Sequence, residues 1–202
     1  MDFLTDEIAC ALGTIVIAAR AGRLCSLDFG DGRDRVRASL AQRYGASSVR
    51  RARDPFGLSG RIRAYLAGDL GAIDQIPVET GGTAFQRRVW AALRRIPAGT
   101  AITYSDLARE IGRPSAVRAA GAANARNPIA IVVPCHRVIG KDGLLTGYAG
   151  GLSRKRWLLT HERRQAGSGT GLEDRERQEL ASHGPALAPR PHRLRPAGRR
   201  LA

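Results

Sequence analysis

The chain is organised around the stretch Ile131–Val138, which reads Ile-Val-Val-Pro-Cys-His-Arg-Val and places a cysteine directly before a histidine at the end of an apolar, strand-like run. A thiolate is the reactive form of cysteine, and an adjacent imidazole takes up its proton, so the pair predicts nucleophilic chemistry at Cys135. A buried cysteine also serves as a small apolar residue, so burial is the alternative explanation on these residues alone. Other sequence features are needed to distinguish a nucleophilic cysteine from a buried structural one.

The positive charge of the chain is unevenly distributed. The formal net charge is +15 over 202 residues. Residues 1–80 carry 11 Arg against 10 acidic residues, whereas residues 81–162 carry 13 Arg and Lys against 4 acidic residues. Arginine and lysine neutralise phosphates and release counterions, so the basic half predicts a polyanionic partner, with an arginine-rich composition as the alternative explanation.

The cysteines and the apolar runs bear on the compartment. Three widely spaced cysteines, Cys10, Cys25 and Cys135, form neither a disulfide framework nor a zinc quartet, which predicts a reducing compartment. The first residues lack the basic segment of a signal peptide, and no apolar run reaches the ~20 residues that a membrane-spanning helix needs. We therefore expect a cytoplasmic protein without a membrane partner.

The first 80 residues read as a small α/β module. Two apolar or alternating runs at 11–19 and 23–29 are joined by Ala21-Gly22, which predicts a β-hairpin. Apolar residues at helical spacing predict helices over 33–44 and 58–66, the second ending at Gly68.

The second half reads as helical. Thr83 predicts the N-cap of a helix over 85–94, and two further helices over 104–111 and 115–126 flank Gly112 in the outline of a helix-turn-helix. The helix over 115–126 is rich in small residues, which suit either a narrow DNA groove or tight packing within the protein. A last helix over 154–162, capped by Ser153, precedes an Arg-, Pro- and Gly-rich segment that predicts a disordered tail over 163–202.

Several separated motifs, in order, resemble the O6-alkylguanine-DNA alkyltransferase family. They are Gly82–Trp90, Thr103–Ala108, Asn127-Pro128, Pro134–Val138, Gly147–Gly151 and Arg154–Glu162. The resemblance implies an α/β (α+β) fold in which a small N-terminal sheet-and-helix domain of RNase H-like type, residues 1–80, precedes a mostly helical, winged helix-turn-helix-like alkyltransferase domain, residues 81–162.

The resemblance also implies a reaction. Cys135 would take a methyl or alkyl group from O6-alkylguanine in double-stranded DNA, irreversibly and without a cofactor, with O4-alkylthymine left open as a second substrate. His136 would be the base through a water, and Glu162 would orient His136. Tyr104 would give a proton to the guanine ring, and Asn127 would be the hinge between the DNA-binding helix and the cysteine segment. The protein would act as a monomer.

Residues that contact DNA or the base follow from the same resemblance. Arg118 would fill the base stack after the target nucleotide is rotated out. Taken alone, Arg118 also fits a plain phosphate contact, Tyr104 a core tyrosine and Tyr148 loop packing. The further DNA-binding residues are Thr103, Ser105, Ala119, Ala122 and Arg126, and the pocket residues are Val138, Tyr148 and Ala149.

The N-terminal half departs from the family pattern at the position of a possible zinc site. Some relatives bind a structural zinc in the first domain, but here that half contains only Cys10 and Cys25 and no histidine, so we expect no metal. The competing functions are a noncatalytic alkyltransferase-like protein, a helix-turn-helix transcription factor and a Cys-His hydrolase. Retention of Cys135 argues against the first, and the separate His136 and Glu162 argue against the second.

Overall fold

A four-stranded sheet forms the N-terminal part of the computed structural model, which describes residues 2–30, 33–45 and 48–167. Strands β1 (Asp2–Cys10), β2 (Gly13–Arg20) and β3 (Arg23–Phe29) form an antiparallel meander, and β4 (Ser48–Arg51) pairs parallel to β1, giving the order β3-β2-β1-β4. The predicted hairpin is confirmed as β2 and β3. The sequence did not reveal β1, because its acidic residues interrupt the apolar alternation by which half-buried strands are recognised.

Two helices cover the opposite faces of this sheet. Helix α1 (Arg33–Tyr44) buries Val36 and Leu40 in a cluster with one face, and α2 (Leu58–Ala67) contributes to the main core. Successive residues of β2 point to opposite faces, so its side chains serve the two clusters in turn. Both helices confirm the sequence prediction, as does the C-cap at Gly68, whose φ of 118° favours glycine.

The second half places a helix-turn-helix beside the cysteine segment. Its elements are α3 (Ala84–Leu93), β5 (Ile102–Thr103), α4 (Tyr104–Glu110), α5 (Val117–Ala125), β6 (Val138–Ile139) and α6 (Leu152–Ala166). Thr83 caps α3 in a capping box with Gln86, as the sequence predicts. Helix α6 differs from the prediction: its N-cap is Gly151 rather than Ser153, because the carbonyl of Gly151 already accepts the backbone N–H of Lys155.

One hydrophobic core joins the sheet to the helices of the second half. It includes Ile15 and Ile17 of β2 together with Val89 of α3, Leu107 of α4 and Val133. The domain boundary near residue 80 stays a prediction from the sequence. Helix α6 runs four residues beyond position 162, and the rest of the predicted tail, from residue 168 onward, lies outside the described residues. Within the described part of the chain, no helix is long and apolar enough to span a membrane.

The apolar run before Cys135 is a series of turns, so the expected strand-like conformation is wrong. Ile131 has a φ of +68°, and the run leads into a 3-10 turn over Cys135–Arg137. The side chain of Asn127 takes the place of a neighbouring strand: its Nδ2 donates to the carbonyls of Val133 (2.7 Å) and Ile129 (3.3 Å), and its Oδ1 accepts from the amide of Ile129 (3.0 Å). Asn127 therefore satisfies backbone groups of this run without a sheet, and its role as the hinge stays a prediction.

Candidate active site

Cys135 begins the 3-10 turn and is only 7% exposed. Burial raises the pKa of its thiol, while a hydrogen bond with Asn127 and the charge of Lys155 act in the opposite direction. The net direction is upward, so the resting group is a thiol rather than a thiolate. A nucleophilic reaction at this sulfur therefore needs a base that removes the proton.

His136 and Glu162 form a fully buried pair. Nε2 of His136 lies 2.9 Å from Oε1 of Glu162. Because Glu162 stays ionised and can only accept, the proton of a neutral imidazole is assigned to Nε2, which leaves the lone pair on Nδ1. Burial lowers the pKa of His136, and among the described residues Nδ1 has no hydrogen-bond partner. The pair therefore provides a neutral base with a free acceptor nitrogen.

Glu162 is held by more donors than the sequence indicated. Arg137 donates to it through Nε and a terminal nitrogen (2.9 and 2.7 Å), the hydroxyl of Tyr65 donates to Oε1 (2.7 Å), and the amide of Gly99 donates to Oε2 (3.2 Å). Burial acts to raise the pKa of this carboxyl, but the partners His136 and Arg137 outweigh it, so the pKa is well below its usual range. Arg137 stood in the quoted motif without a role, and no local sequence pattern connects Tyr65 to Glu162.

Lys155 also belongs to the site, although the sequence-based prediction gave it no role. Its side chain is fully buried, and Nζ donates to the carbonyls of Val138 and Thr146, both at 2.7 Å. Burial lowers the pKa of Lys155 to about 8. These two hydrogen bonds connect the loop before Gly147 to the segment after the 3-10 turn. The positive charge of Lys155 also favours a thiolate at Cys135. A lysine inside the predicted α6 was the available signal, since a buried lysine requires polar partners.

A cavity of about 200 Å³ opens at Cys135. Its walls come from β3 and α1, from the end of α5 and from the loop that contains Tyr148 and Ala149. The hydroxyl of Tyr148 and Oδ1 of Asn124 are buried there without a partner among the described residues. Buried polar atoms of this kind are satisfied when a polar ligand or water enters. Val138, which the resemblance assigned to the pocket, is not among the residues that line this cavity; it is buried, and its carbonyl accepts a hydrogen bond from Lys155.

Helix α5 presents one face to solvent and another to the core. Arg118, Ala119, Ala122 and Arg126 are exposed. Ala122 lies four residues after Arg118, three after Ala119 and four before Arg126, so the four residues lie on one side of the helix. Ala120 and Ala123 are buried, and the indole nitrogen of Trp90 donates to the carbonyl of Ala123 at 2.9 Å. Intramolecular packing therefore accounts for the small residues on the inner side of the helix, and groove contact by the exposed side stays a prediction.

The remaining predicted residues lie at the start of α4. The ring of Tyr104 approaches Gly121 of α5 closely enough that a Cβ there would lie 3.5 Å from the ring. Thr103 is the N-cap of α4, and its hydroxyl is engaged with Asp106, so a capping role accounts for it in the free protein. Ser105 is half-buried in the first turn. Their assignment to DNA contact stays a prediction.

Metal-ligating side chains do not cluster in the described residues, where no group of three or more His, Cys, Asp or Glu could hold an ion. All three cysteines are free.

The sequence and the fold are both similar to known proteins. The profile of the family described as "6-O-methylguanine DNA methyltransferase, DNA binding domain" matches residues 84–164. The methylated-DNA–protein-cysteine methyltransferase of Salmonella typhimurium is 50% identical over 162 residues, which cover 79% of this chain and 95% of that protein. A protein of the same name from Mycolicibacterium paratuberculosis is 48% identical over 149 residues, covering 71% and 90%.

A solved structure agrees with this. The crystal structure of Mycobacterium tuberculosis OGT in complex with DNA superposes with a TM-score of 0.67 and 37% identity, covering 82% of this chain and 94% of that one. The resemblance and the fold class inferred from the sequence are thereby confirmed. Because half of the aligned residues are identical over nearly the whole length of a relative, the chain belongs to the methylated-DNA–protein-cysteine methyltransferase family.

Proposed function

We propose that this protein repairs DNA by direct reversal, transferring a methyl or alkyl group from O6-alkylguanine in double-stranded DNA to Cys135. The observation that carries the proposal is the buried His136–Glu162 pair next to a cysteine that lines a cavity. DNA as the partner is supported by the match to the DNA-binding domain profile and by the similarity to a structure solved with DNA.

The chemistry is a displacement at carbon. His136 takes the thiol proton through Nδ1, by way of a water, and the sulfur of Cys135 forms a bond to the alkyl carbon as the carbon–O6 bond breaks. The electron pair of that bond remains on the guanine, which a proton from Tyr104 neutralises. Glu162 stays ionised and stabilises the imidazolium that forms. The product is a thioether without an activated bond, so Cys135 is consumed and each molecule reacts once.

Access to O6 requires that the target nucleotide leave the base stack. The exposed face of α5 is small at Ala119 and Ala122, which suits the minor groove, about 6 Å wide. We assign Arg118 to the space left in the stack and Arg126 to the same DNA-facing side. The base would then enter the cavity beside Tyr148, whose hydroxyl has no partner in the described part of the chain and would bind a polar group of the base. The chemistry needs a reduced thiol, so we propose a cytoplasmic location. The proposal of a monomeric protein is supported by the family resemblance alone.

The test is a stoichiometric reaction with duplex DNA that contains O6-methylguanine. Excess protein is incubated with the duplex, and the intact mass and the Cys135 peptide are measured. We expect one methyl group in place of one hydrogen at Cys135, absent in Cys135→Ala and retained in the matched control Cys10→Ala. Binding without an adduct would instead indicate a noncatalytic lesion-binding protein, and no binding would refute the proposal.

Base flipping has its own test. Arg118→Ala should slow transfer from duplex DNA much more than transfer from the free base O6-methylguanine, because only the duplex requires flipping. Arg61→Ala, which removes the same charge from the exposed side of α2, is the matched control. Equal losses on both substrates in Arg118→Ala would contradict the assignment.

A further inference from the structure

Tyr65 connects the N-terminal α/β region to the catalytic carboxylate. It lies on α2, outside residues 84–164 that match the family profile, and its side chain is fully buried. Its hydroxyl donates to Oε1 of Glu162 at 2.7 Å. Tyr65 also contacts His161, the residue before Glu162 on α6. The two rings pack edge-on with centroids 5.5 Å apart, and the backbone carbonyl of Tyr65 lies 2.9 Å from Nε2 of His161. Tyr65 of α2 therefore contacts two consecutive residues of α6, His161 and Glu162.

The hydroxyl of Tyr65 and the imidazole of His136 share one oxygen. Oε1 of Glu162 accepts from both, at 2.7 and 2.9 Å. Burial and the neighbouring carboxylate raise the pKa of Tyr65 well above its usual value, so the hydroxyl remains protonated and always donates. In a buried site each donor to a carboxylate oxygen reduces the charge that the other donors experience. Tyr65 therefore limits how strongly Glu162 attracts a proton onto His136.

We propose that Tyr65 is a positioning residue of the alkyl-transfer site: it holds Oε1 of Glu162 where that oxygen accepts Nε2–H of His136, and it sets the pH range over which His136 can act as a base for Cys135. This inference rests on the proposed function of Cys135. It assigns a part of the reaction to α2, because the carboxylate that fixes the base is itself oriented from the N-terminal region.

The direction of the pH effect follows from the groups that face His136. Glu162 of α6 favours the protonated imidazole, whereas Arg137 of the 3-10 turn and Lys155 of α6 disfavour it. Tyr65→Phe removes one donor from Oε1 and leaves more negative charge facing Nε2. His136 then becomes protonated at higher pH, and protonated His136 cannot accept the thiol proton. The acidic limb of the reaction should move upward by about 0.5–1 pH unit, which makes the rate about three- to tenfold lower on that limb.

The experiment measures two reactions of Cys135 as a function of pH, from about pH 5 to pH 9, the range in which histidine titrates. The first is methyl transfer from O6-methylguanine duplex DNA, and the second is alkylation by iodoacetamide, followed by the mass of the Cys135 peptide. Wild type, Tyr65→Phe and the control His161→Gln are compared. His161→Gln alters the same α2–α6 contact without touching the carboxylate. We expect the shift in Tyr65→Phe alone, in both reactions, with a much smaller change on the plateau.

The outcomes separate this inference from the proposed function. An unchanged pH profile in Tyr65→Phe, or an equal shift in His161→Gln, would overturn the positioning role. If wild-type protein reacts with iodoacetamide but takes no methyl group from DNA, the proposed function fails, and the iodoacetamide profiles still decide the role of Tyr65. Should Tyr65→Phe fail to fold, difluorotyrosine at position 65 provides the second test: its more acidic hydroxyl donates more strongly, so the acidic limb must move to lower pH.

Discussion

Glu162→Gln tests the buried network at its centre. The carboxylate receives donors on both oxygens: Tyr65, His136 and Arg137 on Oε1, and Arg137 and the amide of Gly99 on Oε2. An amide turns one acceptor into a donor, so in either orientation an N–H group faces other donors and the charge of Arg137 is left without its partner. Breaking a buried ion pair in this way costs about 3–5 kcal/mol, a large share of the roughly 5–15 kcal/mol that stabilises a typical domain.

The loss should appear in both stability and reaction rate. Urea unfolding should report the lower stability, and single-turnover methyl transfer should slow by about 10⁴-fold, the scale seen when the carboxylate that fixes a histidine tautomer is neutralised in hydrolase triads. Folding lowers the pKa of Glu162 from 4.5, so its contribution is present above about pH 4.5 and is lost as the pH falls towards the folded-state value. The stability difference should therefore shrink in acid.

The control for this variant is Glu110→Gln, which neutralises an exposed glutamate at the end of α4. Surface changes of this kind alter stability by about 0.5 kcal/mol or less. A Glu162→Gln protein with the stability and the transfer rate of Glu110→Gln would refute the role of the carboxylate in holding Arg137 and His136.

Three further predictions concern the walls of the site. The pKa of Lys155 falls from 10.5 to about 8 on folding, so the unfolded chain binds more protons than the folded one between these pH values. The free energy of unfolding should therefore rise with pH across this window, by up to about 3 kcal/mol. Urea titrations should find no such rise in Lys155→Met. Gly150→Ala would drive a methyl group into the ring of Phe29 and to 2.8 Å from the ring of Tyr148, so we expect the loop to shift and transfer from O6-methylguanine DNA to slow, and an unchanged rate would contradict the packing. Asn127→Ala removes the bonds to the backbone before Cys135 and should lower the free energy of unfolding by about 2–4 kcal/mol, with wild-type stability in thermal unfolding as the contrary result.

Local sequence patterns determined most of the secondary structure and indicated the candidate reactive residues. Helix α1 follows from the spacing of Val36 and Leu40, and the start of α3 from Thr83. These features depend on neighbouring residues, so periodicity and capping rules suffice. Cys135 and His136 could likewise be proposed as a reactive pair, because their chemistry follows from residue type and adjacency.

The tertiary structure decided what the apolar run before Cys135 becomes and what surrounds Glu162. The run is apolar enough for a strand, but Asn127 satisfies its carbonyls and allows a turn that bends Cys135 towards the cavity. Tyr65 lies 97 residues from Glu162 along the chain, and their 2.7 Å hydrogen bond exists only because α2 and α6 pack against a shared core. Local sequence patterns carry no information about partners so far apart along the chain. A charged group that is buried away from water must nevertheless have hydrogen-bond donors within the fold, so the burial of Glu162 requires such partners.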